Sequence, residues 1–203
     1  MKESYIRFMG KISARTTGVL FRSLDSMVRD RVERVHLLIS SPGGTVFHAL
    51  SLFNFLRGVP FEVYTYDFGF VGSTALVLHC AGSKRVASPH ARFLLYGVDL
   101  MLSNQTRLSA HDLEQHTQGL KLDYLRIARV VASTTGRTED QVLKDMNKHL
   151  ALSATEAKDY GLVHDIKSEL IPRGADFHVV TEIPEAATRP AAAFPPGLGT
   201  GPD

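Results

Sequence analysis

Twice in this chain a hydrophobic strand pattern runs into glycines and then straight into an apolar helix pattern. VERVHLLIS, residues 32–40, enters Ser41-Pro42-Gly43-Gly44 and then Val46, Leu50 and Phe53, whose spacing is helical, with Ala49, Leu52 and Leu56 widening the stripe. FEVYTY, residues 61–66, enters Asp67-Phe68-Gly69-Phe70-Val71-Gly72, and Ser73 then opens an apolar run to Gly82. A strand that is apolar along its length is buried on both faces, the habit of a parallel sheet covered by helices. Repeated strand–turn–helix passages therefore predict an α/β domain with a largely parallel sheet. The carboxyl-end turns of such a sheet share one edge, where ligands bind. Glycines there remove side chains and expose backbone N–H groups, so the edge is either merely tight or built to meet a negative charge.

The rest of the chain extends the alternation. YIRFMG reads as a first strand, followed by a helix carrying Leu20, Leu24 and Met27. The run from 73 to 82 predicts a buried helix with Gly82 as its C-cap. KRVAS and ARFLLYG are short strands separated by the turn Ser88-Pro89-His90. A long helix is predicted from about Ser109 to Ser133, with Ser109 and Asp112 forming an imperfect capping box. Its inward stripe is Leu113, Leu120, Tyr124, Ile127 and Val131; Leu122 and Leu125 lie off that stripe, so the helix touches more than one neighbour. Gly136 ends it, and two short helices (about 138–148 and 154–160) precede a last strand near 162–166. Beyond residue 172 the pattern fails, and Pro, Ala and Gly dominate. The expectation is a domain over 1–172 and a disordered tail over 173–203.

Charge and cysteine usage narrow the function classes. Lys and Arg number 23 against 21 Asp and Glu, a net charge of +2 that gives no reason to propose nucleic acid or a membrane as partner. The single cysteine, Cys80, rules out an internal disulfide and a cysteine metal cluster, and its apolar surroundings mark it as a small buried hydrophobe. The histidines show no metal-ligand spacing, so neither metal nor cofactor is expected. No apolar run reaches membrane-spanning length and MKESYIRFMG lacks a signal-peptide core, which predicts a cytoplasmic protein.

A serine at a helix start is ordinarily only an N-cap. If the two glycine turns are neighbours, however, the N–H groups of Gly44 and Thr74 converge beside the Ser73 hydroxyl. Two such donors flanking a serine make an oxyanion hole beside a nucleophile, and the anion awaited at the first turn is then a tetrahedral acyl intermediate.

The ordered set of motifs resembles the ClpP family, the proteolytic subunits of Clp proteases, serine peptidases on a crotonase-like fold. The matching pieces are Ser41-Pro42-Gly43-Gly44, Gly69 to Ala75, Ala81-Gly82-Ser83-Lys84-Arg85 with Pro89, Thr135-Gly136, and LSATEAKDYGLVHDI at 152–166. The resemblance implies a spiral of β-β-α units with a protruding handle helix, here 109–133, through which heptameric rings stack. It implies a homo-oligomer, with a paralogous subunit or an ATPase as further partner and a peptide as substrate. By the same resemblance Ser73 is the nucleophile, and Gly44 and Thr74 are the oxyanion donors. The family's catalytic histidine falls on Tyr96 and its acidic partner on His149. The chain also begins almost on the first core strand, where the family carries a pore-lining segment, so docking of an unfolding ATPase is expected only if another subunit supplies those parts.

Three readings of this substituted triad stay open. In one, the site is degenerate and the protein is a silent ring subunit. In another it is rewired, with His149 as base, directly or through the Tyr96 hydroxyl, because a tyrosine hydroxyl is itself a weak base at neutral pH. In the third, Lys148 or His48 substitutes. His149 and Tyr96 also have plain structural readings, as a helix-end histidine and a core-edge aromatic. An acyl-CoA enzyme of the same superfamily is a further alternative, against which the serine and its flanking residues argue.

Overall fold

Apolar strands assemble here into one sheet, and a helix follows each of the first three. The structure is a computed structural model that describes residues 1–97 and 109–182. In chain order the elements are β1 (Glu3–Met9), α1 (Ala14–Arg29), β2 (Arg34–Ser41), α2 (Val46–Gly58), β3 (Glu62–Gly72), α3 (Ala75–Cys80), β4 (Lys84–Ala87) and β5 (Arg92–Leu95). Then come α4 (Ala110–Thr135), α5 (Glu139–Asn147), β6 (Leu150–Ser153), α6 (Ala154–Tyr160), β7 (Asp165–Ile166) and β8 (Phe177–Thr181).

The strand order is β6-β5-β3-β2-β1-β8, with β4 and β7 attached off that path. Every pairing is parallel except β5 with β6. The fork lies in β3. Tyr64 to Asp67 pair with Lys84 to Ala87 of β4, and Phe70 to Gly72 then pair with Arg92 to Leu94 of β5. Opposite the fork, the β2–β3 register shifts between Ile39 and Ser41. Gly69 and Gly72, expected in a turn, are thus strand residues that let β3 change neighbours, and the turn itself is only Ser73-Thr74.

The main core packs α1, α2, α3 and the buried end of α4 against the sheet, with Phe8, Phe93, Ile6, Leu20, Leu37 and Leu76 almost fully buried. Each such side chain contributes roughly 1.5–3 kcal/mol relative to exposure. Tyr5, Leu38, Tyr66 and Val86 form a second, smaller cluster.

Three expectations change. First, α4 follows its predicted bounds closely, and its capping box is complete: Ser109 Oγ accepts the Asp112 N–H at 3.1 Å and the Asp112 carboxylate accepts the Ser109 N–H at 2.9 Å. Its inward stripe, however, is buried only at Ile127 and Val131, joined by Ala128 and Ala132, while Leu113 is 48% exposed. At 1.5 Å per residue the helix is about 39 Å long, and its first half stands off the domain as a handle. Secondly, the chain forms β6 and β8, which the sequence pattern does not predict, and α3 closes at Ala81 rather than Gly82. Thirdly, β8 lies inside 173–203, the stretch expected to be disordered. It pairs with β1, and the Tyr5 N–H donates to the Asp176 carbonyl at 2.9 Å, so the ordered domain extends past 172 to at least Thr181. The Pro-, Ala- and Gly-rich sequence from 183 onward lies outside the described residues. Among those described, no helix is long and apolar enough to cross a membrane.

Candidate active site

The two glycine turns meet. The Gly43 N–H donates to Ser41 Oγ at 3.1 Å, which shapes the first turn. Ile12, just beyond β1, locks it from outside: its N–H donates to the Gly43 carbonyl and its carbonyl accepts the Thr45 N–H, both at 2.9 Å. A Cβ on Gly44 would collide with the Ile12 backbone. Gly43 has φ 96°, and a Cβ there would lie 2.9 Å from the Gly72 carbonyl and 3.0 Å from Ser73 Cβ and Thr74 N. Glycine is required at both positions because backbone meets backbone.

Ser73 is only 6% exposed and has φ 52°, a left-handed conformation that costs a non-glycine residue about 1–2 kcal/mol. Its N–H donates to the Leu94 carbonyl at 3.1 Å and its carbonyl accepts the Leu76 N–H at 3.0 Å, so β5 and α3 hold the strain from both sides. The N-cap reading does not hold. Thr74 is the cap residue of α3, and no side chain caps that helix. The Ser73 hydroxyl makes no hydrogen bond to a described residue.

Of the two predicted oxyanion donors, one is free. The Thr74 N–H makes no hydrogen bond to a described residue. The Gly44 N–H donates to Thr74 Oγ1 at 2.8 Å, and the Thr74 hydroxyl lies 3.2 Å from the Gly44 carbonyl, to which it donates. The buried Thr74 side chain thus covers the donor that an acyl oxyanion needs. A hydroxyl-bearing residue next to the serine was visible in the sequence; its reach to Gly44 was not.

The other side of the site is looser. Tyr96, just past β5 and half-buried, donates its hydroxyl proton to the Pro42 carbonyl at 3.0 Å. His149 follows α5 with φ 53° at the position after the C-cap Lys148, and is exposed. Its ring centroid is 6.1 Å from that of Tyr96, with no hydrogen bond between them and none to Ser73. Lys148 is exposed, and the His48 ring packs against Phe47; neither is hydrogen-bonded to Ser73. Geometry therefore brings Ser73, Thr74 and Gly44 together, brings Tyr96 to Pro42 of the same turn, and leaves His149 beside Tyr96 at the rim. The sequence marks Pro42 as part of the turn but carries no sign that its carbonyl accepts the Tyr96 hydrogen bond.

Two titratable groups on β3 and α3 are buried. Asp67 on β3 accepts the Gly69 N–H through Oδ1 at 2.9 Å, while Oδ2 has no partner, and burial raises its pKa to about 7. Cys80 is buried and its thiol is pushed up to about 11, chiefly by burial, which makes it inert at neutral pH. Among the described residues no group of three or more His, Cys, Asp or Glu side chains could hold a metal.

This architecture has counterparts of known kind. Residues 1–169 match the Clp protease family. The chain is 33% identical over 147 residues to the ATP-dependent Clp protease proteolytic subunit 3 of Parasynechococcus marenigrum, covering 71% of each chain. It is 30% identical over 150 residues to the ATP-dependent Clp protease proteolytic subunit 2 of Corynebacterium efficiens, covering 73% of this chain and 71% of that one. Among solved structures, a ClpP1 point mutant from Listeria monocytogenes superposes with a TM-score of 0.72 at 23% identity, covering 81% of this chain and 91% of that chain. The fold is therefore shared, and the chain belongs to the Clp protease family.

Proposed function

We propose that this chain is a ring-forming, proteolytic-type subunit of an ATP-dependent Clp assembly whose serine peptidase site is built but not armed. Ser73 is the nucleophile position and Thr74 N–H an oxyanion donor for hydrolysis of a peptide bond. One observation carries the reading: the residue at the base position, Tyr96, spends its hydroxyl proton on the Pro42 carbonyl, and no described imidazole is hydrogen-bonded to Ser73. A serine hydroxyl attacks an amide only when a base takes its proton, and a positioned base contributes roughly 10²–10⁴-fold. The Thr74 hydroxyl on the Gly44 N–H withdraws part of the oxyanion hole as well. The subunit's principal contribution is then to the ring, through the handle on which Leu122 and Leu125 are 54% and 40% exposed.

A second reading rests on the nearness of His149 to Tyr96. Rotation of the tyrosine hydroxyl off Pro42 would let it accept the Ser73 proton while passing its own to His149. Intact-mass spectrometry after incubation with a fluorophosphonate probe, with Ser73→Ala as control, separates the two. The unarmed site gives no adduct in the folded, assembled protein. An adduct lost in both Ser73→Ala and His149→Ala overturns that reading in favour of the relay.

A further inference from the structure

At the opposite end of α3 from Ser73, a cleft of about 520 Å³ opens between α2, the start of β4, the last turn of α4 and the loop after α6. It is lined by Arg57, Arg85 and His164 and by the hydroxyl residues Ser83, Ser133 and Thr134, with no carboxylate among its lining residues. The three hydroxyls donate inward, to the carbonyls of Val63 and Val130, so the donors left for a ligand are those of Arg57, Arg85 and His164.

Arg85 is only 7% exposed. Nε donates to the Leu162 carbonyl at 2.9 Å, Nη1 to Gly82 at 3.3 Å, and Nη2 to Gly161 at 3.2 Å and Thr134 at 3.4 Å. Neutral carbonyls fix the direction of the guanidinium but bring no opposite unit charge. Among the described residues neither Arg85 nor Arg57 pairs with a carboxylate. Burial first, and then the Arg57 charge, hold Arg85 below the ordinary guanidinium range, although Cys80 acts the other way. Burial, Arg85 and Lys84 in turn depress His164. Like charges have been gathered without their counter-ion.

His164 gives the cleft a specific geometry. Its Nδ1 accepts the Arg85 main-chain N–H at 3.0 Å, which assigns the proton of the neutral ring to Nε2. Nε2 lies 2.9 Å from Arg85 Nη2. Both Nη2 protons already go to the Gly161 and Thr134 carbonyls, so the donors without an acceptor on this wall are the His164 Nε2–H and the second Nη1–H of Arg85. An anionic oxygen entering there accepts from the His164 Nε2–H beside the guanidinium charge, and further oxygens on the same centre face the Arg57 side chain that lines the same cleft. Buried charges are normally paired, and guanidinium forks match phosphate oxygens.

We propose that this cleft binds a small phosphate-class dianion, held by Arg57, the directed Arg85 guanidinium and the His164 Nε2–H. The site is independent of the serine chemistry and requires neither an armed nor a silent Ser73.

The test uses the full chain in chloride buffer at constant ionic strength. Inorganic phosphate is titrated while the backbone amide resonances of Gly82, Ser83 and His164 are followed, with O-phosphoserine as a second arm. Saturable shifts at those three residues are expected. Binding of phosphate alone assigns the cleft to the free ion, and binding of both assigns it to the phosphate group generally. Arg57→Ala should weaken binding about tenfold, the loss of one charge-assisted contact, and Arg57→Glu should abolish it. Arg57 is exposed, so both variants keep the native melting temperature in chloride. Arg85 is left intact because its carbonyl contacts tie three segments together. Non-saturating shifts, or equal affinity in Arg57→Ala, would overturn the proposal.

Discussion

On the glycine side of Ser73 the contacts are backbone to backbone: Ile12 against Gly43-Gly44, and Gly43 against Gly72 to Thr74. On the other side the contacts are made by two side chains at or near the surface, Tyr96 and His149. The two sides answer to different constraints. A side chain added at Gly44 meets the Ile12 backbone whether or not the site turns over, so folding alone keeps that turn. His149 is exposed and Tyr96 half-buried, so packing places a weaker demand on which side chain stands at either position. On the proposed reading, a nucleophile turn keeps its shape whichever residues stand at its proton relay. Ser73 belongs to neither class. Its left-handed φ costs energy, and its hydroxyl makes no hydrogen bond to a described residue in return.

Supplying the family's side chains on the looser side should have the largest effect. In the double variant Tyr96→His with His149→Asp, labelling of Ser73 by a fluorophosphonate is expected to accelerate by about 10²–10⁴-fold, the usual worth of a positioned base. Time-resolved intact-mass spectrometry reads it directly. Should the rate stay flat in a variant that folds normally, the deficit lies on the glycine side, with Thr74 Oγ1 on the Gly44 N–H, and the contrast between the sides is wrong.

What the sequence disclosed follows the same division. Strand–glycine–helix passages report local backbone needs, so the parallel sheet and the places of Ser73, Gly44 and Thr74 could be read from residues close together in the chain. Contacts between side chains and distant backbone could not. Thr74 reaches Gly44 across 30 positions and Tyr96 reaches Pro42 across 54, and no periodicity encodes either. The short strands β6 and β8 carry too few residues to show an alternation, and exist because β5 and β1 offer them an edge. The stripe on α4 departs from its expected burial for a related reason. Apolar spacing marks a face that wants cover but does not say whether this chain supplies it, and Leu113 remains exposed.

Breaking the tight side should cost folding before it costs chemistry. Gly44→Ala is expected to lose about 3 kcal/mol, the scale of a steric conflict that backbone must absorb. Urea denaturation followed by circular dichroism gives the midpoint. A loss within a few tenths of a kcal/mol would mean that Ile12 yields easily, and the rigidity assigned to this side would go with it.

The smallest effect on stability is expected from Tyr96→Phe, and it discriminates most finely between the two uses of the tyrosine. The ring stays and only the hydroxyl bond to the Pro42 carbonyl is lost. The site is half open, so water can replace the donor, and the expected loss is about 1 kcal/mol. If the hydroxyl is only a tether, any slow labelling of Ser73 persists unchanged or rises as the turn loosens. If it passes the serine proton towards His149, labelling falls to the Ser73→Ala background while stability changes just as little. Stability and labelling moving apart in this way would make Tyr96 a working part of the site. Stability moving alone would leave it a structural tie that took the place of a base.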